Sequence, residues 1–143
     1  MVNHDQAVAY AAEVTSSAAA ASSSKAAAGA RERALSLCEE VGGRSKKDVA
    51  VFNDYIDAGN NGTGDEAAKG RAAAASAHEM AAWLESVSGD LPATLAGLFT
   101  DLSVSMTASA RVIERDHSAT EINSITDTNN SLRDSIWDEC ETL

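Results

Sequence analysis

The chain has 143 residues and a formal net charge of −11, a length that suits one domain. It has no run near the ~20 apolar residues of a membrane span and no cationic-then-apolar segment of a classical secretion signal at its start. Hydrophobic residues make up 44%. Nearly half of these are alanine, and Leu, Ile, Val and Phe together reach only about a sixth of the chain, so long helices over a thin core are expected.

In chain order, Asn3 with Gln6 has capping-box spacing and opens a first helix that Gly42-Gly43 is expected to stop. Over residues 15–34 this helix carries only Ala, Ser, Thr, Gly and charges. Ser45 and Asp48 repeat the capping-box spacing before a short second helix with Val49, Phe52, Tyr55 and Ile56 on one face, ended by Gly59. A glycine- and asparagine-rich loop follows. Thr63 with Glu66 then opens a third helix over about 65–88, closed by Gly89. Its start, 67–77, is again rich in small residues and is the expected antiparallel partner of 15–34, with Gly29 or Ala30 at the closest approach. Further on, Ala77, Met80, Leu84 and Val87 make an amphipathic stripe beside Trp83.

Pro92 suits the first turn of a last helix. Leu95, Phe99, Leu102, Met106, Ser109 and Ile113 are spaced 4, 3, 4, 3, 4, a coiled-coil-like seam. A second seam, Ile122, Ile125, Asn129, Leu132, Ile136, Cys140 and Leu143, is out of phase with the first, and the stretch between them is polar. The reading is one continuous helix over 92–141, with a break at 126–131 and a separate helix capped by Ser131 as the alternative. No segment alternates apolar and polar residues over a strand's length. The fold class is all-α: an elongated bundle of about four helices in a single domain, with 126–143 as an optional separate helix.

Charge is uneven. Residues 1–78 hold 8 basic and 10 acidic side chains and residues 79–143 hold 3 and 12, giving −2 and −9, which sum to −11. Arg31, Arg33, Arg44, Lys46 and Lys47 gather near the expected end of the first helix. No aromatics interleave them and the acidic remainder repels a polyanion, so no nucleic acid is expected as partner. Asp134, Asp138, Glu139 and Glu141 crowd the other end of the chain; that cluster is either a solvated tail or the complement of the basic segment in a second copy.

Three constellations bear on chemistry. Glu114 and His117 form one Glu-x-x-His pair, the weak candidates for metal ligation; a ferritin-like bundle needs two such pairs plus two more glutamates, for which Glu79 and Glu85 stand nearest. Asp57, Asn61, Gly62 and Asp65 match four positions of a calcium loop, but Ala68 stands where a bidentate Glu is needed. The histidines adjoin no nucleophile motif, and Cys38 and Cys140 read as reduced thiols of an intracellular protein. No cofactor and no catalytic residue is expected.

The reading is therefore a non-enzymatic helical assembly protein that self-associates or docks on a protein partner, with no membrane span, in the cytoplasm. Its expected interface is Ile122, Ile125, Asn129, Leu132, Ile136 and Trp137, with Asn129 setting register. Two alternatives stand beside it: a ferritin-like metal-binding bundle, and an acidic helical protein exported without a classical signal. Type VII-exported helical hairpins share the composition, but their Trp-x-Gly turn is absent at both Trp83 and Trp137.

Overall fold

The computed structural model describes the backbone of residues 4–143 and the side chains from Ser24 onward. Its helices are α1 (His4–Asn61), α2 (Glu66–Val87), α3 (Ala93–Glu114) and α4 (Ala119–Glu141), with a single 3-10 turn, Ser88–Asp90, after α2. Among the described residues there is no strand. The all-α four-helix architecture is as the composition implies, but two of its boundaries are not where the sequence reading puts them. The expected cap at Asn3–Gln6 and the small-residue face over 15–23 lie outside the described residues.

Gly42-Gly43 does not stop the first helix; the two expected helices are one, α1. A helix-ending glycine needs the left-handed conformation, and the positive-φ glycines are Gly62 (60°) and Gly64 (85°), which turn the chain from α1 into α2. Two mid-helix glycines cost about 1 kcal/mol each relative to alanine. The cost is offset because Ala34, Leu37 and Val41 before the pair and Tyr55 and Ala58 after it are all buried along one face. Ser45 and Asp48 accordingly form no cap, since Asp48 lies buried mid-helix. The Thr63–Glu66 box also fails to form: Asp65 is the N-cap of α2 and makes no side-chain cap hydrogen bond, while the Thr63 hydroxyl donates to the Asp65 carboxylate.

The expected last helix is broken in two, at 115–118 rather than at 126–131. Arg115 is extended, and Ser118 caps α4 in a reciprocal box with Glu121. Ser118-Ala119-Thr120-Glu121 carries that signature in plain sight, inside the polar stretch where the two seams change phase. Residues 126–131 stay helical; the Thr126 and Thr128 hydroxyls donate to the carbonyls of Ile122 and Ser124 one turn back, which satisfies groups that otherwise disfavour a helix interior.

Turns of four or five residues make consecutive helices antiparallel. The core runs through Leu37, Val41, Met80, Leu84, Leu95, Phe99, Leu102, Met106 and Ile136, so both seams face inward. The small-residue stretch of α2 packs on the second half of α1, Gly70 against Tyr55 and Ser76 on Asp48, rather than on 24–34, the described part of the expected partner. Gly70 marks one close contact, where an added Cβ would stand 3.2 Å from the Tyr55 ring. Gly29 and Ala30 are exposed.

Candidate functional site

The largest departure from the sequence reading lies where α1 and α4 meet. Cys38 and Cys140 are not reduced thiols: they form a disulfide, with Cα atoms 6.0 Å apart across a sequence separation of 102. The second seam brings Cys140 inward and the Ala34–Leu37–Val41 face brings Cys38 to meet it. Nearby, Arg31 Nε donates to the Leu143 carbonyl at 2.7 Å. The basic segment and the residues just past α4 thus touch within one chain, a contact that neither a solvated tail nor pairing with a second copy anticipated.

Further along the same seam, Arg133 Nη2 donates to Asp48 Oδ2 at 3.0 Å, and Ser76 Oγ on α2 donates to Asp48 Oδ1 at 2.7 Å. Both charges are largely withdrawn from water, with side chains 17% and 9% exposed. Burial pulls the Arg133 guanidinium below its ordinary pKa, and the Asp48 carboxylate opposes that. Its Nε is buried without a hydrogen-bond partner. One turn earlier, Asn129 is buried between two α3 serines: Ser105 Oγ donates to Asn129 Oδ1, and Asn129 Nδ2 donates to Ser109 Oγ at 2.7 Å. Asp48, Arg133, Asn129 and Ser109 line a cavity of about 100 Å³ together with Val49, Phe52, Met106 and Ile113.

Outside this buried strip, the seam opens into an apolar groove of about 220 Å³ floored by Val41, Gly42, Ile136 and the disulfide, with Trp137 and Asp134 on its rim. Gly42 has open space where a side chain would stand, and Trp137 is 61% exposed. On the opposite flank of α4 a longer, shallower groove of about 750 Å³ runs between α3 and α4, lined by Val104, Ala108, Ile125 and Leu132 with Asp101 and Asp127 at its edges.

The six expected interface residues therefore divide. Ile122, Asn129 and Ile136 are buried inside this chain; Asn129 bridges two serines of α3, and Ile136 reaches the surface only as part of the floor of the α1–α4 groove. Ile125 and Leu132 are half-buried in the α3–α4 groove, and Trp137 stands exposed on the α1–α4 side.

Glu114 and His117 do not share a helical face, because α3 ends at Glu114. Glu114 instead pairs with His78 of α2 at 2.7 Å. His117 Nδ1 faces the Arg115 carbonyl at 2.9 Å and its Nε2 faces the Tyr55 hydroxyl at 3.2 Å. Burial, with the Glu66 carboxylate nearby, pushes the Tyr55 phenol up from its ordinary pKa. Hydrogen bonds from Arg115 and from the Ser118 N–H hold Glu121 below the ordinary carboxylate range. Glu79 and Glu85 are exposed. Asp57 and Asn61 lie within α1 while Asp65 lies beyond the turn. Among the described residues no three His, Cys, Asp or Glu side chains gather as a metal site would require. In the basic segment, Arg33 pairs with Asp90, and Arg44 pairs with Glu40 while lying over the Trp83 ring.

Sequence reasoning gives Asp48 and Gly42 other roles, a cap and a helix stop, and misses Arg133 and Val104. Asp48 and Arg133 are 85 residues apart and carry no mutual signal. Val104 was readable as an apolar residue off the seam. Residues 20–141, most of the chain, match the family model described as the Rv2240c four-helix bundle domain. No curated protein and no solved structure matches the chain.

Proposed function

The chain belongs to the Rv2240c four-helix bundle domain family, and on that footing we propose that it is a non-enzymatic assembly protein that self-associates through the outer face of its α1–α4 seam. One observation carries this reading: an exposed knob, Trp137, and an open apolar groove at Gly42 belong to the same patch. A two-fold dimer needs a self-complementary surface, in which each copy offers both partners of the contact. Charge supports it. Asp134 lines the groove and Lys46 follows Gly42 by one turn of α1, so copies related by a two-fold can pair opposite signs across it.

Light scattering tests it. The wild type is expected at a multiple of 14.8 kDa, and Trp137→Asp at the single mass with an unchanged circular dichroism spectrum. A wild type that stays monomeric at millimolar concentration rejects the proposal. Substituting Ile136 does not separate association from folding, because it is buried in the core as well as flooring the groove.

The disulfide favours a second reading, that the chain works in an oxidising compartment, reached by a route such as non-classical export. Disulfides persist in oxidising settings and are rare where thioredoxin and glutathione keep thiols reduced. Alkylating free thiols in intact cells and then measuring the mass of the recovered chain decides it. An unmodified chain supports this setting, and a chain carrying two alkyl groups supports the cytoplasm.

A further inference from the structure

The α3–α4 groove lies on the other flank of α4 from the Trp137 patch and differs from it in charge. Val104 is 68% exposed, the most exposed large hydrophobic side chain among the described residues. Ala108 is half-buried, as are Ile125 and Leu132 across the groove. Val104 therefore stands as a ridge over a floor kept low by Ser105 and Ala108. Ile125 and Leu132 are seven residues apart on α4, about 10 Å at 1.5 Å per residue. Two helical turns of a partner cover that length, presenting apolar side chains at i, i+4 and i+7.

The charged groups lining the groove are Asp101 and Asp127, with no cation among them. They belong to the half of the chain, 79–143, that holds 12 acidic and 3 basic side chains. Of those three cations, Arg133 pairs with Asp48 and Arg115 with Glu121, and Arg111 lies two turns along α3 from Val104, in a neighbouring hollow that also holds Glu85. A second copy's α3–α4 face would bring the same negative charge against this one, which like-charge repulsion penalises. A helix with an apolar stripe flanked by lysine or arginine meets the groove with complementary shape and sign.

We propose that the α3–α4 groove is a docking site for a basic amphipathic helix of a protein partner. The site is separate from the self-association patch, and its failure leaves that reading standing. The probe is a synthetic 18-residue peptide of leucine and lysine with leucine at i, i+4 and i+7 positions, labelled and titrated into the full oxidised chain by fluorescence anisotropy. Two control peptides accompany it, one with glutamate replacing lysine and one with the same composition scrambled to abolish the apolar face. Binding is expected for the first peptide alone, weakening as salt rises. Val104→Asp is expected to weaken it about tenfold or more, as loss of a central anchor does, with the melting curve unchanged because Val104 is exposed. Asp101→Lys with Asp127→Lys is expected to weaken binding and flatten its salt dependence, whereas Trp137→Ala leaves it unchanged. Equal binding of the scrambled peptide, or full binding by Val104→Asp, overturns the proposal. So does loss of self-association in Val104→Asp, which would make the groove a contact between copies.

Discussion

The two flanks of α4 solve the same problem in opposite ways. Toward α1 the helix is fastened by a disulfide, a buried ion pair and the Arg31–Leu143 hydrogen bond. Toward α3 it is held inside by packing and by Asn129 between two serines, while the outer edge stays open and acidic. Alanine explains the contrast. Small side chains bring α1 and α2 together but supply little apolar area to cover a fourth helix, so α4 needs covalent and ionic fastenings where it meets α1. The lesson is that a thin core moves specificity into a few strong polar and covalent contacts.

Removing those fastenings is the hardest test of the contrast. Reducing the disulfide, or making Cys38→Ser with Cys140→Ser, is expected to lower unfolding free energy by about 4–5 kcal/mol, the loop-entropy value for ~100 enclosed residues. Urea denaturation measures it, and a loss under about 1 kcal/mol, the net worth of an ordinary hydrogen bond, would mean that packing alone holds the seam. Next, Asp48→Ala is expected to cost about 3–5 kcal/mol, because it strands a buried guanidinium. Asp48→Leu with Arg133→Met should recover most of that loss. If the double variant is as unstable as the single, the pair is not where the cost arises.

Away from those fastenings the effects are smaller. Asn129→Leu should cost about 1–3 kcal/mol, since the Ser105 and Ser109 hydroxyls lose their buried partner. Gly43→Ala is expected to stabilise by about 1 kcal/mol, because the added methyl meets open space. Gly42→Ala should stabilise similarly yet weaken self-association, since Gly42 floors the groove beside Trp137; light scattering separates the two variants. Smallest of all, Val104→Asp should shift stability by no more than about 0.5 kcal/mol, as exposed positions do. A larger loss would mean that the outer edge of the α3 contact is part of the core.

Legibility followed the range of the interaction. The stripe Ala77, Met80, Leu84 and Val87 and the seam from Leu95 to Ser109 are buried as their spacing implies, because period and burial are local properties of one helix. The two misplaced boundaries have different causes. The Ser118–Glu121 box is present in the sequence, whereas the sequence reading runs one helix through it and places its alternative break at the weak helix formers of 126–131. Gly42-Gly43 misled for a physical reason: glycine marks a stop only if the chain can gain by turning, and here the burial of Leu37, Val41 and Tyr55 on one continuous face outweighs it. Of the proposed surfaces, Trp137, Ile125 and Leu132 were readable as apolar residues, but which of α4's neighbours left them exposed was not.

Composition and periodicity by themselves determined an all-helical chain, the inward seams of α3 and α4, and the acidity of the second half, since each depends on residues a turn or two apart. Only the tertiary structure decided that Cys38 meets Cys140, that Asp48 meets Arg133, and that α4 turns Ile136 inward while leaving Trp137 outside. Those outcomes depend on how α1 and α4 are placed about the core by α2 and α3, and contacts across 85 to 102 residues of chain are selected by the packing of the whole bundle rather than by any local pattern.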